Sequence, residues 1–353
     1  MGGKLKMTIQ MHRVALASRP EGAPSLANFR YEPFSLPDPG KGEVLLETQV
    51  LSLDPYMRGR MSTGKSYANP VEIGATMEGA AVGKVLASGS SAFKPGDYAV
   101  GMIGWASHGV LPAHDLQMVD ATIAPLSTAL GVLGMPGFTG WHGLNAYGRP
   151  KAGETLVVGA AAGAVGSMVG QLAKHYGLRA VGVAGGAEKC TYAVEKLGFD
   201  ACIDHRAAAD PKALRAQIAV ACPDGIDIYF ENVGDKTLRA VLPLMNVAGR
   251  IPICGTIGWY DLTGPDDPSL AGSDTLPLIW RSILVNRLSI NGFIILDNYD
   301  RNPAFVQEVT PLVLSGQIKH REDIANGLQD APAAFLRLLS GKNFGKQLVQ
   351  VAL

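Results

Sequence analysis

The sequence predicts an α/β protein in two parts, a β-rich N-terminal domain and a doubly wound parallel sheet of six strands. Three observations predict it. Residues 12 to about 125 carry short apolar runs separated by Gly/Pro turns, as in a barrel or sandwich. From about Gly140 the rhythm changes to alternating strands and helices. At the start of that alternation, Glu154-Thr-Leu-Val-Val-Gly-Ala-Ala-Ala-Gly-Ala-Val-Gly166 takes a buried strand through small residues into a helix.

The elements follow in order. Glu43 to Leu53 and Gly79 to Ala87 are strand candidates, and Phe93-Lys-Pro-Gly-Asp97 is a turn before the apolar run Tyr98 to Ile103. The six parallel strands are placed at Thr155–Val158, Ala180–Val183, Ala201–Ile203, Ile226–Phe230, Arg250–Cys254 and Leu288–Ile295. Helices are placed between them at Val165–Tyr176, Ala187–Lys196, Lys212–Ala221, Thr237–Met245 and Leu276–Asn286. Gly255 to Asp274 reads as a long functional loop. The tail holds a helix at Ala331–Leu339, a turn at Gly341-Lys-Asn-Phe-Gly345 and a last strand at Lys346–Val351. We therefore divide the chain into residues 1–135, completed by about 316–353, and residues 136–315.

Composition excludes several classes. The chain has 353 residues, 47% apolar and 18% charged, which suits a globular enzyme rather than a disordered chain. Lys plus Arg and Asp plus Glu number 31 each, so no global field favours nucleic acid or an anionic membrane. No apolar stretch is long enough to span a bilayer, and Lys4 and Lys6 precede no signal-peptide core. The four cysteines, Cys190, Cys202, Cys222 and Cys254, include no C-x-x-C pair, which points to thiols in a reducing, cytoplasmic compartment.

The small-residue turn has the spacing A-x-x-G-x-x-G, with Gly163, Ala164, Val165 and Gly166 opening the helix. Strand, turn and helix N-terminus form the geometry that holds a dinucleotide pyrophosphate, although such turns also serve packing alone. An NAD site usually carries a carboxylate about 20 residues further on, at the end of the second strand. Here Gly185 and Gly186 leave space instead, Lys189 follows one helical turn later, and His205 with Arg206 follows the third strand. Room plus cations suits the 2′-phosphate of NADPH. Two readings oppose it: Lys189 and Arg206 as solvated surface charges, and Glu188 turned toward a ribose.

Taken in order, Leu53-Asp-Pro-Tyr-Met-Arg58, Ala160 to Gly166, Glu231-Asn-Val-Gly234, Gly249 to Gly255, Trp259-Tyr-Asp261 and Gly341 to Lys346 carry a resemblance over nearly the whole chain. The chain resembles the zinc-independent medium-chain dehydrogenase/reductases. Within them it is similar to the branch of leukotriene/prostaglandin reductases, plant double-bond reductases, 2-alkenal reductases and bacterial curcumin reductases. The resemblance implies a GroES-like domain, a Rossmann domain, a cleft between them and a homodimer. It implies NADPH contacts at Gly163 to Gly166, Lys189, Asn232, Cys254, Gly255, Thr256, Ile257, Tyr260, Phe293, Ile294, Ile295 and Asn343. Lys189 falls on the 2′-phosphate lysine, and His205 stands where many members have a tyrosine. Ala80 stands where some plant members have a substrate-facing tyrosine.

The chemistry follows from what is missing as well as what is present. No cysteine precedes residue 190, so the first domain has no thiolate for a catalytic zinc, and no metal is expected. Without a metal, the reaction implied is conjugate reduction of an enone or enal: hydride goes to the β-carbon and the carbonyl oxygen becomes an enolate that needs donors. Tyr56 and Tyr260 are the candidate catalytic phenols. Tyr56 is equally readable as packing at a strand end, and Tyr260 as a pocket wall with solvent as proton donor. Tyr67 and Trp105 line the substrate site or serve as core and surface aromatics, and His108, His142 and Arg58 read as ordinary hydrogen-bonding residues. Two rival functions remain at this stage, an NADPH quinone reductase and a non-catalytic NADPH-binding protein.

Overall fold

The computed structural model describes residues 10–64, 66–262 and 276–352. They form two compact units, one of residues up to Leu130 with 324–340 and 347–353, the other of residues 131–323 and 341–346. The tail is thus shared: its turn at 341–346 belongs to the second unit, whereas the sequence reading assigned 316–353 whole to the first.

In the second unit the strands are β1 (Thr155–Gly159), β2 (Arg179–Ala184), β3 (Ala201–Asp204), β4 (Ile226–Phe230), β5 (Met245–Ile253) and β6 (Ser289–Gly292). They lie in the order β3-β2-β1-β4-β5-β6, every neighbouring pair parallel. The order reverses between β1 and β4, the place where such sheets bind ligands beyond their carboxyl ends. Strand periodicity explains the two-sided burial. Leu156, Val158, Ile228 and Phe230 enter one apolar cluster with Met168, Val169 and Leu172. Val157, Val181, Val183, Tyr229 and Ile251 enter another with Leu214 and Ile218.

The helices of this unit are α1 (Met135–His142), α2 (Ala164–His175), α3 (Ala187–Glu195), α4 (Pro211–Ala221), α5 (Asp235–Val241), α6 (Leu276–Asn286) and α7 (Asn302–Leu314). Asp210 caps α4 by accepting from the Ala213 N–H at 2.7 Å, and Pro211 fits the first helical position. The sequence reading did not place α1 or α7. Helix α1 runs on into a π-helical stretch, Gly143–Gly148, a local distortion frequent at functional sites. Two expected boundaries also move. Strand β5 begins at Met245, where a helix was expected to end, because the helix stops at Val241 and a short 3₁₀ turn, Leu242–Leu244, carrying Pro243 follows it. Strand β6 ends at Gly292; Phe293 and Ile294 leave the sheet as a loop, and Ile295 opens a 3₁₀ helix.

The first unit is β-rich. A sheet runs in the order 322–326, 346–350, 43–52, 81–88, 98–101 and 117–119, with 108–112 also paired to 43–52. A separate hairpin pairs Met11–Leu16 with Phe29–Phe34 in antiparallel register. Trp105 is fully buried here, stacked on Phe29 at 5.5 Å and met edge-on by Phe335 at 5.4 Å, so it is a core residue. Among the described residues, no helix is long and apolar enough to cross a membrane.

Candidate active site

At the head of the second unit, the turn after β1 is shaped for close backbone approach. Ala160 takes a left-handed φ of 52°, and its carbonyl accepts from the Gly163 N–H at 2.8 Å. A Cβ on Gly166 would stand 2.3 Å from that same oxygen, so only glycine fits. Gly163 is the N-cap of α2, whose first N–H groups and dipole favour an anion.

The far end, after β2 and β3, gathers cations. Asp204 accepts from the Gly186 N–H at 2.8 Å and from the Arg206 N–H at 2.9 Å, tying the two turns together. A Cβ on Gly185 would lie 2.8 Å from Arg206 Nε and 3.0 Å from His205 Nε2. The bare backbone of Gly185 is therefore covered by those two side chains, and the open position is the neighbouring Gly186, with nothing within 4 Å. Lys189 Nζ and Arg206 Nη2 both donate to the Gly341 carbonyl, at 2.8 and 3.1 Å. Lys236 Nζ donates to the carbonyls of His205, at 2.8 Å, and Ala208. Glu188 is exposed in the first turn of α3. Burial, then the Arg206 charge, lowers the Lys189 pKa. The same two causes, in the same order, lower that of His205. A phosphate dianion placed there would relieve both.

The other end, after β4 and β5, is built from backbone. Cys254 and Gly255 N–H donate to the Glu231 carbonyl, at 3.0 and 3.2 Å, and Ile257 and Gly258 N–H donate to Asn232 and Val233, at 3.3 and 2.9 Å. Asn232 Nδ2 donates to the Gly159 carbonyl at 2.9 Å, joining this turn to the end of β1. Ile257–Trp259 form a 3₁₀ turn that carries Tyr260, whose hydroxyl lies 3.3 Å from where a Cβ on Gly255 would stand. The remainder of the expected loop, 263–274, lies outside the described residues. Desolvation pushes the Cys254 thiol up to about 12. Phe293 stacks on Tyr147 of the π-helical stretch at 5.2 Å, and Ile295 is buried in the same core.

Glu231 underlies this region and was not among the site residues read from sequence. Its Oε1 accepts from Tyr229 Oη at 2.9 Å, Val233 N–H at 2.7 Å and Gly234 N–H at 2.8 Å, and the side chain is 2% exposed. Burial raises its pKa, while the Val233 and Gly234 N–H groups pull the other way. The carboxyl group thus fixes the turn on which the 254–260 loop hangs. Asn343 Nδ2 donates to the Gly345 carbonyl at 2.8 Å, and its neighbour Phe344 meets Tyr192 of α3 edge-on at 5.2 Å.

Tyr56 belongs to the first unit, as do Tyr67, Ala80 and Trp105, whereas Tyr260 and the expected cofactor contacts belong to the second. Burial, then the charges of Asp54 and Glu78, holds the Tyr56 pKa far above its ordinary value, so the phenol keeps its proton. The Arg60 guanidinium sits 5.5 Å from the Tyr56 ring and 4.5 Å from the Tyr67 ring, and it pairs with Glu78 at 2.5 Å. Arg58 is structural, donating to Ser62 at 2.7 Å and to the Gly22 carbonyl at 2.6 Å. Among the described residues no group of three or more His, Cys, Asp or Glu is placed to hold a metal ion.

A β-rich unit, a doubly wound sheet, an open helix N-terminus and a cation-lined turn beyond the second strand define a dinucleotide-dependent oxidoreductase. Residues 12–119 match the family described as the N-terminal domain of oxidoreductase, and residues 164–311 the family described as zinc-binding dehydrogenase. The chain is 50% identical over 341 residues to the NADPH-dependent curcumin reductase of Escherichia coli K12, covering 96% of each chain. It is 40% identical to the NADP(+)-dependent 2-alkenal reductase of Nicotiana tabacum, over 89% of this chain and 88% of that one. The crystal structure of CurA from Vibrio vulnificus in complex with NADPH superposes with a TM-score of 0.90 at 46% identity, over 97% of this chain and 99% of that one. The chain belongs to the medium-chain dehydrogenase/reductases, in the branch that contains the curcumin, 2-alkenal and prostaglandin reductases.

Proposed function

We propose that this protein uses NADPH to reduce the carbon–carbon double bond of α,β-unsaturated ketones and aldehydes. One observation carries the cofactor choice: Lys189 and Arg206 converge on the Gly341 carbonyl, with His205 and Arg206 packed against Gly185 and open space at Gly186. Curcumin and 2-alkenals, which name two relatives, share an alkene conjugated to a carbonyl.

When bound, the nicotinamide supplies hydride to the β-carbon. The chain's own residues do the rest. The N-terminus of α2 holds the pyrophosphate, and Lys189, His205 and Arg206 hold the 2′-phosphate. Asn232, the loop 254–257 and Phe293 to Ile295 position the nicotinamide end. Tyr260 donates a hydrogen bond to the oxygen on which charge develops, with Tyr56 as the second candidate phenol. The α-carbon then takes a proton, so hydride and proton add across the double bond.

The reaction needs no metal, and dialysis against a strong chelator leaves the rate unchanged; lost activity restored by stoichiometric zinc would overturn this. The protein is a cytoplasmic homodimer. Among the described residues strand β6 ends the sheet, and α6, packed against β5, exposes Trp280, Leu284 and Val285, which supports a second copy as the partner. Light scattering then gives twice 37.1 kDa; a monomer mass would contradict it. The functional test is loss of NADPH absorbance on adding a panel of enones, enals and quinones, with product identification. Saturated ketones and aldehydes are expected. Turnover of quinones alone would make it a quinone reductase, and no turnover a binding protein.

A further inference from the structure

The turn that carries His205 and Arg206 is held from two sides. Its N–H groups go to the ends of the second and third strands. His205 N–H donates to the Ala184 carbonyl at 3.0 Å, Arg206 N–H to the Asp204 carboxylate at 2.9 Å and Ala207 N–H to the Asp204 carbonyl at 3.2 Å. Its carbonyls go to a single ammonium. Lys236 Nζ donates to the His205 carbonyl at 2.8 Å and to the Ala208 carbonyl. Lys236 stands in the first turn of α5, two residues after the 231–234 turn. Ala240 and Val241 of α5 lie with Ala208 in one buried apolar cluster. Both the helix that supplies the ammonium and the end of the turn that receives it are therefore packed in place.

Resting on the 2′-phosphate reading of this end, we propose that Lys236 is a positioning residue: it fixes the backbone of the 205–208 turn so that His205 and Arg206 meet the phosphate, and so sets the preference for NADPH over NADH. An ammonium has three donors and no acceptor, and two of its donors here are directed at main-chain carbonyls rather than at a ligand. Hydrogen bonds from a charged donor are the strong kind, so one side chain suffices to close a four-residue turn.

Removing the ammonium leaves both carbonyls without this donor, and that of Ala208 belongs to a residue only 3% exposed. The turn then shifts against its N–H anchors. The planar Arg206 fork and the His205 ring move with it, and a guanidinium binds a phosphate well only when its fork is aimed. The glycine turn at Gly163 and the loop 254–260 take no hydrogen bond from Lys236. A cofactor without the 2′-phosphate is therefore held as before.

The experiment measures NADPH and NADH dissociation constants by calorimetry for four full-length proteins: the parent, Lys236→Met, a variant with both His205→Ala and Arg206→Ala, and the triple variant. Lys236→Met should weaken NADPH about ten-fold and leave NADH within about two-fold. In the background without the His205 and Arg206 side chains, the same change should cost NADPH less than about two-fold, because nothing remains to be positioned. A ten-fold loss that persists in that background would make Lys236 a direct phosphate ligand and overturn the proposal. Equal losses for both cofactors, or an unaltered NADPH affinity, would overturn it as well. Should the methionine variant not fold, Lys236→Gln, which keeps amide donors, carries the same comparison with an expected NADPH loss of about three-fold. A parent that binds NADPH no more tightly than NADH would overturn the 2′-phosphate reading itself, and this proposal with it.

Discussion

The two ends of the proposed cofactor site are made differently. The proposed 2′-phosphate end is a meeting of side chains from three separate stretches, Lys189, His205–Arg206 and Lys236, with the backbone carbonyl of Gly341. The nicotinamide end is a loop fastened through backbone groups to the 231–234 turn, itself held by one buried carboxyl group. Side-chain charges are individually removable, so the first end should lose affinity and selectivity in steps. Backbone anchoring is collective, so the second end should tolerate changes on its surface and fail when its anchor is removed.

Removing that anchor is the harshest way to sharpen the contrast. Glu231→Ala leaves the Val233 and Gly234 N–H groups and the Tyr229 hydroxyl without their acceptor. We expect a loss of about 3 kcal/mol. The midpoint of thermal unfolding should fall by roughly 5–10 °C. Glu231→Gln, which keeps an acceptor oxygen, should recover most of it. An unchanged melting curve for the alanine variant would show that the turn is held some other way.

Tyr260→Phe comes next. It removes a single hydroxyl at the end of the anchored loop and should slow single-turnover hydride transfer to a saturating enone about ten-fold, with cofactor affinity unchanged. The drop stays below that of a lone oxyanion donor because the ribose hydroxyl shares the task. A rate equal to that of the parent would reduce Tyr260 to a wall and move the role to Tyr56.

The smallest effect concerns pH. Burial and Arg206 lower the His205 pKa, so the ring is neutral near pH 7. A neighbouring phosphate dianion favours the charged ring and raises that pKa on binding. NADPH affinity should therefore gain a few-fold as pH falls from about 7 to 6, and NADH affinity should not. His205→Asn controls for the titration of the phosphate itself and should flatten the slope. Calorimetric titrations showing the same slope in both proteins would remove His205 from the phosphate site.

Much of the sheet was legible because its signals are local. Thr155–Val158 and Ile226–Phe230 are short, β-branched or aromatic runs, and α3 and α6 begin where the sequence placed them. No helix was placed over α1, whose Pro136, Gly137 and Gly140 have low helix propensity. In the fold, its Phe138 and Trp141 are buried against Phe305 of α7, tertiary packing that overrides local propensity. The cationic end was partly readable, since Gly185, Lys189 and His205 lie near strand ends. The Gly341 carbonyl was not, because it arrives from 152 residues beyond Lys189. Glu231 escaped for a different reason: its motif was visible, but only the fold shows that its carboxyl group is buried and accepts three hydrogen bonds.

The division between a charge-built binding end and a backbone-built reacting end is tested most directly with Lys189→Ala. The measurement is the dissociation constant of NADPH and of NADH, with the single-turnover rate at saturating NADPH. We predict NADPH affinity weaker by about ten-fold or more, NADH affinity unchanged, and a hydride-transfer rate equal to that of the parent. Equal losses for both cofactors, or a slower hydride transfer once NADPH is saturating, would contradict it.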